Sequence, residues 1–311
     1  MSFRKCVCHS LILGEYMLVR ILFSVFLTTF CLTAFATEKE NVKQNKQMQS
    51  CKNGVGRACN IVGMNYEFEL NGFKKNYSKA AEFYEKACNL NNNEGCTNLG
   101  FFYEKGYSVQ INYKKSQMLY EKGCNLKDSN GCLALGTLLE KTKNYDKAKV
   151  AYEKGIKLKS GECYNNLAIM YMYGNGVKKD LFKAKSLLEK SCNLKKSNGC
   201  TSLGTLYYTE SLDYTKAIEY YKKACFLDSG QACYNLGVFY ANGDGVNQNY
   251  FKARDLYERG CKLNDGMACY HLGLLYYSGR GGIRDRVFAK LCFSKSCDLG
   301  YIKGCKKYFS K

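Results

Sequence analysis

The 311-residue chain has no proline and no tryptophan, and only two histidines. Without proline, every turn has to be made by glycine and polar residues. One histidine, His9, lies near the N-terminus, so nearly the whole chain carries a single imidazole, His271. A catalytic zinc site built on several histidines is therefore excluded. Acidic residues are also scarce, with 27 Asp and Glu against 47 Lys and Arg, for a formal net charge of +20. Cysteine, by contrast, is abundant. Nineteen are too many for an ordinary cytosolic enzyme, which points to a metal or to an oxidising compartment.

The N-terminal segment points to export. From Met17 the chain reads MLVRILFSVFLTTFCLTAFATEKEN, with Arg20 before an apolar run from Ile21 to Ala36 that ends in the small-x-small pattern of Ala34, Phe35 and Ala36. This predicts a signal peptide over residues 1–36, its true start at residue 1 or 17, cleaved after Ala36. An uncleaved membrane anchor is the competing reading, since the run approaches spanning length. Residues 37–50 read as a short polar linker. Cleavage removes Arg4, Lys5, Arg20 and Glu15, leaving a strongly basic chain with no stable membrane span. Outside the cytoplasm nucleic acid is not an expected partner, and anionic glycans, lipid head groups or acidic proteins fit better.

Residues 51–311 are one motif repeated, about seven full copies and a C-terminal cap. Segments starting at Cys51, Cys88, Cys124, Ile156, Cys192, Cys225, Cys261 and Cys297 align without gaps over their first turns and recur every 32 to 37 residues. Each repeat is predicted to hold two helices. Counting from the second cysteine of a pair as position 0, apolar or small residues fall at 0, 3, 4 and 7, one helical stripe. Position 4 is glycine in six repeats (Gly63, Gly100, Gly136, Gly204, Gly237, Gly273) and Ala168 in the other. A mid-helix glycine costs about 1 kcal/mol relative to alanine, so a close neighbouring helix is expected there. Small residues on the second helix (Ala80, Ser116, Ala148, Ala184, Ala217, Ala253, Ala289) supply the matching face. A basic residue near the end of each second helix, from Lys86 to Lys295, meets the negative end of the helix dipole.

The pattern YNLGVFYANGDGV followed by KARDLYERGC resembles the Sel1-like repeats, relatives of the tetratricopeptide repeat. With the cysteine pairs and the export signal, the chain is similar to the Helicobacter cysteine-rich protein family. The resemblance implies an all-α, right-handed αα-hairpin solenoid, each hairpin stapled by its own disulfide, in a secreted or periplasmic protein. It also implies penicillin binding and slow β-lactamase activity, properties described for that family.

Seven pairs share one spacing: Cys51 with Cys59, Cys88 with Cys96, Cys124 with Cys132, Cys192 with Cys200, Cys225 with Cys233, Cys261 with Cys269, and Cys297 with Cys305. Zinc would want ligands two residues apart or several histidines, so these residues too favour disulfides, and neither metal nor cofactor is expected. In the fourth repeat Ile156 and Tyr164 occupy both staple positions, and Cys163 takes the place of Ala232. Cys292 occupies a core position that is Leu187 or Leu256 elsewhere. Both are expected to be free thiols.

No catalytic residue can be named from the sequence. A serine β-lactamase uses Ser-x-x-Lys with Ser-Asp-Asn and Lys-Thr-Gly, and here only Ser2 to Lys5 fits the first pattern. A binding surface can be named. Position 2 lies on the far side of the first helix from the stripe and reads Ile61, Asn98, Ala134, Asn166, Ser202, Asn235 and His271. In related solenoids this face lines the concave groove, and amides that both donate and accept suit a peptide backbone. Asn98, Asn166, Ser202, Asn235 and His271 are the candidate groove. The expected ligands are a peptide, a cell-wall fragment or an envelope protein, with β-lactams as the family's addition.

Overall fold

The computed structural model describes residues 43–309, so the signal segment and residues 37–42 lie outside it. The described residues are helical with short turns and contain no strand. They form two compact bodies that divide after Leu126. The first body holds α1 (residues 43–52), α2 (Gly56–Phe68), α3 (Tyr77–Asn89), α4 (Asn93–Lys105) and α5 (Tyr113–Asn125). The second holds α6 (Ser129–Lys141), α7 (Tyr145–Lys157), α8 (Gly161–Tyr173), α9 (Leu181–Asn193), α10 (Ser197–Thr209), α11 (Tyr214–Phe226), α12 (Gly230–Asn242), α13 (Tyr250–Lys262), α14 (Gly266–Ser278), α15 (Arg286–Asp298) and α16 (Ile302–Phe309).

Residues 43–50, read from the sequence as linker, are instead helix. Although polar, α1 stands where a second helix would stand in a full repeat. Met48 packs against the Cys51, Val62 and Phe83 cluster, and Gln47 accepts a hydrogen bond from the buried Asn65.

The even-numbered helices from α2 to α14 are the first helices of the repeats. Side-chain caps set most helix starts. On the second helices the Lys79, Lys115, Lys183, Lys216 and Lys252 N–H groups donate to Asn76, Asn112, Asp180, Asp213 and Asn249. Such a cap contributes about 1 kcal/mol, and here it recurs because the hairpin turn always ends on Asn or Asp. Four first helices end on a left-handed glycine, Gly106, Gly174, Gly243 or Gly279, which no β-carbon obstructs.

The glycine column does admit a close neighbour, but chiefly a ring. A β-carbon on Gly63 would stand 2.6 Å from Tyr84 Cδ1 and 3.2 Å from the Ala80 carbonyl oxygen. On Gly136 it would stand 2.3 Å from Tyr152 Cε1. The second helices thus lay Tyr84, Tyr120, Tyr152, Tyr221, Tyr257 or Phe293 over the glycine of their own repeat. In the fourth repeat the glycine is Ala168 and the ring is Leu188, both fully buried. The smaller aliphatic side chain leaves room for the extra methyl.

Six of the cysteine pairs close with Cα atoms 4.4 to 4.7 Å apart. Cys124 and Cys132 are disulfide-bonded as well. Cys163 and Cys292 are free and buried. A β-carbon on Gly155 would stand 2.3 Å from Cys163 Sγ, so the thiol fills space that Gly155 leaves open. The equivalent contacts are Ala87 with Gly95, Ser191 with Gly199 and Gly260 with Ala268, each a pair of small residues. Cys163 is one member of this column.

Candidate functional site

In the second body the first helices α6, α8 and α10 border a cleft of about 240 Å³. Its walls are Leu133 and Thr137 from α6, Glu162, Asn165 and Asn166 from α8, and Lys196, Ser197 and Asn198 at the start of α10. Lys196 Nζ lies 2.7 Å from Glu162 Oε1, and the lysine stem crosses Gly161, where a β-carbon would stand 2.4 Å from Lys196 Cγ. Burial pushes the Glu162 carboxyl up, but the hydrogen bond and charge of Lys196 outweigh it, and the group ends below its ordinary range. Asn166 Nδ2 donates to the Tyr152 hydroxyl at 3.4 Å, while that hydroxyl donates to Glu140. Asn165 Nδ2 donates to Asn166 Oδ1 at 3.2 Å.

Of the five candidate groove residues, only Asn166 lines this cleft. All five are half-buried rather than freely exposed. Asn98, in the first body, donates to Asn60 Oδ1 at 3.0 Å, and Asn60 donates to Glu94 at 2.9 Å. Ser202 lies on α10 and Asn235 on α12, where Asn235 stands against the Tyr221 hydroxyl. The His271 ring packs among Tyr234, Tyr257 and Tyr270 with centroids 5.2 to 5.5 Å away. Burial, with Lys303 adding to it, holds the imidazole below its ordinary value and favours the neutral form. At Asn166, Asn235 and His271, position 2 therefore meets tyrosines of the preceding hairpin, a contact that helix periodicity cannot show.

Glu162, Asn165, Lys196 and Asn198 were not singled out from the sequence. One signal was present. The N-cap residues of α4, α6, α8, α12 and α14 are Asn92, Asp128, Ser160, Ser229 and Asp265, all acceptors, whereas α10 has Lys196 there and no side-chain cap.

A second hollow, about 230 Å³, lies between α13, α14 and α15 and is lined by Leu272, Phe288, Leu291 and Cys292. Among the described residues no cluster of His, Cys, Asp and Glu could hold a metal ion, and no helix is long and apolar enough to cross a membrane.

The Sel1 repeat profile matches residues 56–92, 93–128, 161–196, 199–227, 230–265 and 266–301, well over half of the chain. The chain belongs to the Sel1 repeat family. The matched Sel1 stretches omit residues 129–160, which nevertheless form the α6–α7 hairpin. Two Sel1 proteins share the fold: one from Oxalobacter formigenes, with TM-score 0.64, 19% identity and coverage of 87% of this chain and 80% of its own, and the protective antigen c5321 of uropathogenic Escherichia coli, with TM-score 0.64, 20% identity and coverage of 85% and 58%. Helicobacter pylori HcpE, whose name marks it as a candidate β-lactamase, is 56% identical over 36 residues, or 12% of this chain and 10% of its own length. HcpC, named in the same way, is 47% identical over 47 residues, or 15% of this chain and 16% of its own length. The likeness to these cysteine-rich relatives thus extends over little more than one Sel1 repeat.

Proposed function

We propose that this Sel1 protein is an extracytoplasmic binding scaffold whose first-helix face receives an extended peptide or a cell-wall fragment. The observation that carries this reading is the α6–α8–α10 cleft, where Asn166 and its neighbours present amides, hydroxyls and one ion pair in a recess. Such a mixture orients a neutral polar ligand through several short hydrogen bonds. The bonded cysteines favour an oxidising compartment. Asn166→Ala should weaken binding of muramyl dipeptide by about 1 kcal/mol, the worth of one hydrogen bond. The melting temperature should fall slightly, because Asn165 Nδ2 loses its acceptor while Tyr152 keeps Glu140, and affinity is read well below it. Titration calorimetry on the oxidised protein reads the affinity, and equal affinity for Asn166→Ala, Asn235→Ala and wild type would sink the groove.

The names of the cysteine-rich relatives favour a second reading, β-lactam hydrolysis. The same cleft offers Ser197 and Thr137 hydroxyls beside Lys196. That ammonium is already paired with Glu162 and is no free base. Repeated turnover of nitrocefin that disappears in Ser197→Ala, with binding kept, would put hydrolysis first.

A further inference from the structure

The wall of the α6–α8–α10 cleft contains a polar atom that the fold leaves unsatisfied. Asn165 is 6% exposed, and its Oδ1 is one of two buried side-chain polar atoms without a partner among the described residues. Buried amide oxygens are normally hydrogen-bonded, because an unpaired one carries its full desolvation cost. The first body shows how the equivalent residue is satisfied. Asn60 follows Cys59 as Asn165 follows Tyr164, and it is 1% exposed. It donates to Glu94 and accepts from Asn98, both from the next repeat. In the repeat after Asn165 those two places hold Asn198 and Ser202, and the Asn165 acceptor is left open.

A second local rule is broken in the same cleft. Lys196 occupies the N-cap of α10 although an ammonium cannot accept the free N–H groups there. Its side chain instead runs across Gly161 to Glu162. Departures from local preference that gather in one recess are expected where a ligand completes the arrangement.

We propose that this cleft is a subsite for a neutral primary carboxamide. One ligand N–H donates to Asn165 Oδ1, the other to Glu162, and the ligand carbonyl accepts from the Lys196 ammonium. The terminal torsion of an Asn side chain is broad, so a modest turn presents Oδ1 to the cleft. A carboxylate in the same place meets Glu162 and an acceptor with no proton to offer. A cation meets Lys196. This inference rests on the groove reading above and adds to it the chemical class of group held at α8.

A primary carboxamide can come from an Asn or Gln side chain of a peptide, or from the amidated carboxyl of isoglutamine in a cell-wall peptide. Two matched pairs separate these sources when titrated into the full oxidised protein: muramyl dipeptide against its free-acid counterpart, and acetyl-Ala-Gln-Ala N-methylamide against acetyl-Ala-Glu-Ala N-methylamide. At least one amide member should bind tenfold or more tightly than its acid partner, as expected where a buried polar group would otherwise go unpaired. The pair that shows the preference identifies the source. Asn165→Leu should erase that preference without lowering the melting temperature, while Lys222→Ala, an exposed change on α11 away from the groove, should keep it. The comparison of ligands on wild type needs no variant to fold. Equal binding of amide and acid, or a preference that survives Asn165→Leu, overturns the subsite and leaves the groove standing. Failure of all four probes to bind at millimolar concentration overturns the subsite and the groove reading together.

Discussion

Cys163 is a small core residue with an unusual titration. Burial pushes its thiol up to about 11 from an ordinary 9.0, partly offset by Ser160, and burial pushes Cys292 to about 11 as well. The folded chain therefore holds each proton to higher pH than the unfolded chain does. The stability this contributes is complete below about pH 9 and is lost as pH rises toward about 11. Burial raises Tyr84, Tyr120, Tyr152 and Tyr257 as well, and these share the alkaline loss as pH approaches their ordinary value of 10.0. The Cys163 part of that loss is read as the difference between Cys163→Ala and wild type between about pH 9 and about pH 10. Cys163→Ala recreates the Gly260 and Ala268 contact found three repeats later and should fold. Urea denaturation across that window should show a shallower decline for Cys163→Ala than for wild type. Parallel declines would mean that Cys163 does not titrate with unfolding.

Within a hairpin the two helices are matched through the glycine column. A β-carbon on Gly237 would stand 2.5 Å from Tyr257 Cε1 and 2.7 Å from Cδ1, and that ring is 2% exposed and has little room to move. Alanine at this place gains about 1 kcal/mol in helix propensity, while overpacking a filled core costs about 1 to 3 kcal/mol. Overpacking should win, because the clash falls on a buried ring rather than on a flexible side-chain end. Gly237→Ala is expected to lower stability by about 1 to 2 kcal/mol on that balance. In a Tyr257→Leu background the same change should be neutral or stabilising, since the pair then matches Ala168 with Leu188. A double-mutant cycle on thermal melting measures the coupling, and strict additivity would show that the ring is not what requires glycine.

At the scale of the whole chain, the disulfides do for every repeat but the fourth what a larger core does for an ordinary domain. Each closes a loop of eight residues between one hairpin and the next, and each should contribute about 2 to 3 kcal/mol by restricting the unfolded chain. Fourteen described cysteines are bonded, a state that a reducing cytoplasm does not sustain. Under the scaffold reading, protein recovered from the cell envelope should begin at Thr37. Its intact mass should fall short of the fully reduced form by fourteen hydrogens, one for each bonded cysteine. Retention of residues 17–36, or thiols mostly free before any reductant is added, would contradict export with oxidation.

The sequence by itself determined the repeat, the two helices of each copy, the stripe of Leu and Tyr, and the spacing of the cysteine pairs. These follow from periodicity and turn chemistry within about 36 residues, where chain neighbours decide the outcome. It also marked position 2 as polar, but not what those side chains touch. Tertiary structure decided that the glycines make room for tyrosine rings, that Cys163 fits against Gly155, and that residues 43–50 are helix packed on the first hairpin. It alone decided the cleft, because Asn165 and Glu162 stand on α8 while Lys196 starts α10, a full repeat later. An unpaired acceptor is a property of everything around it: Asn60 and Asn165 look alike along the chain, and only the neighbouring helix satisfies one and leaves the other open.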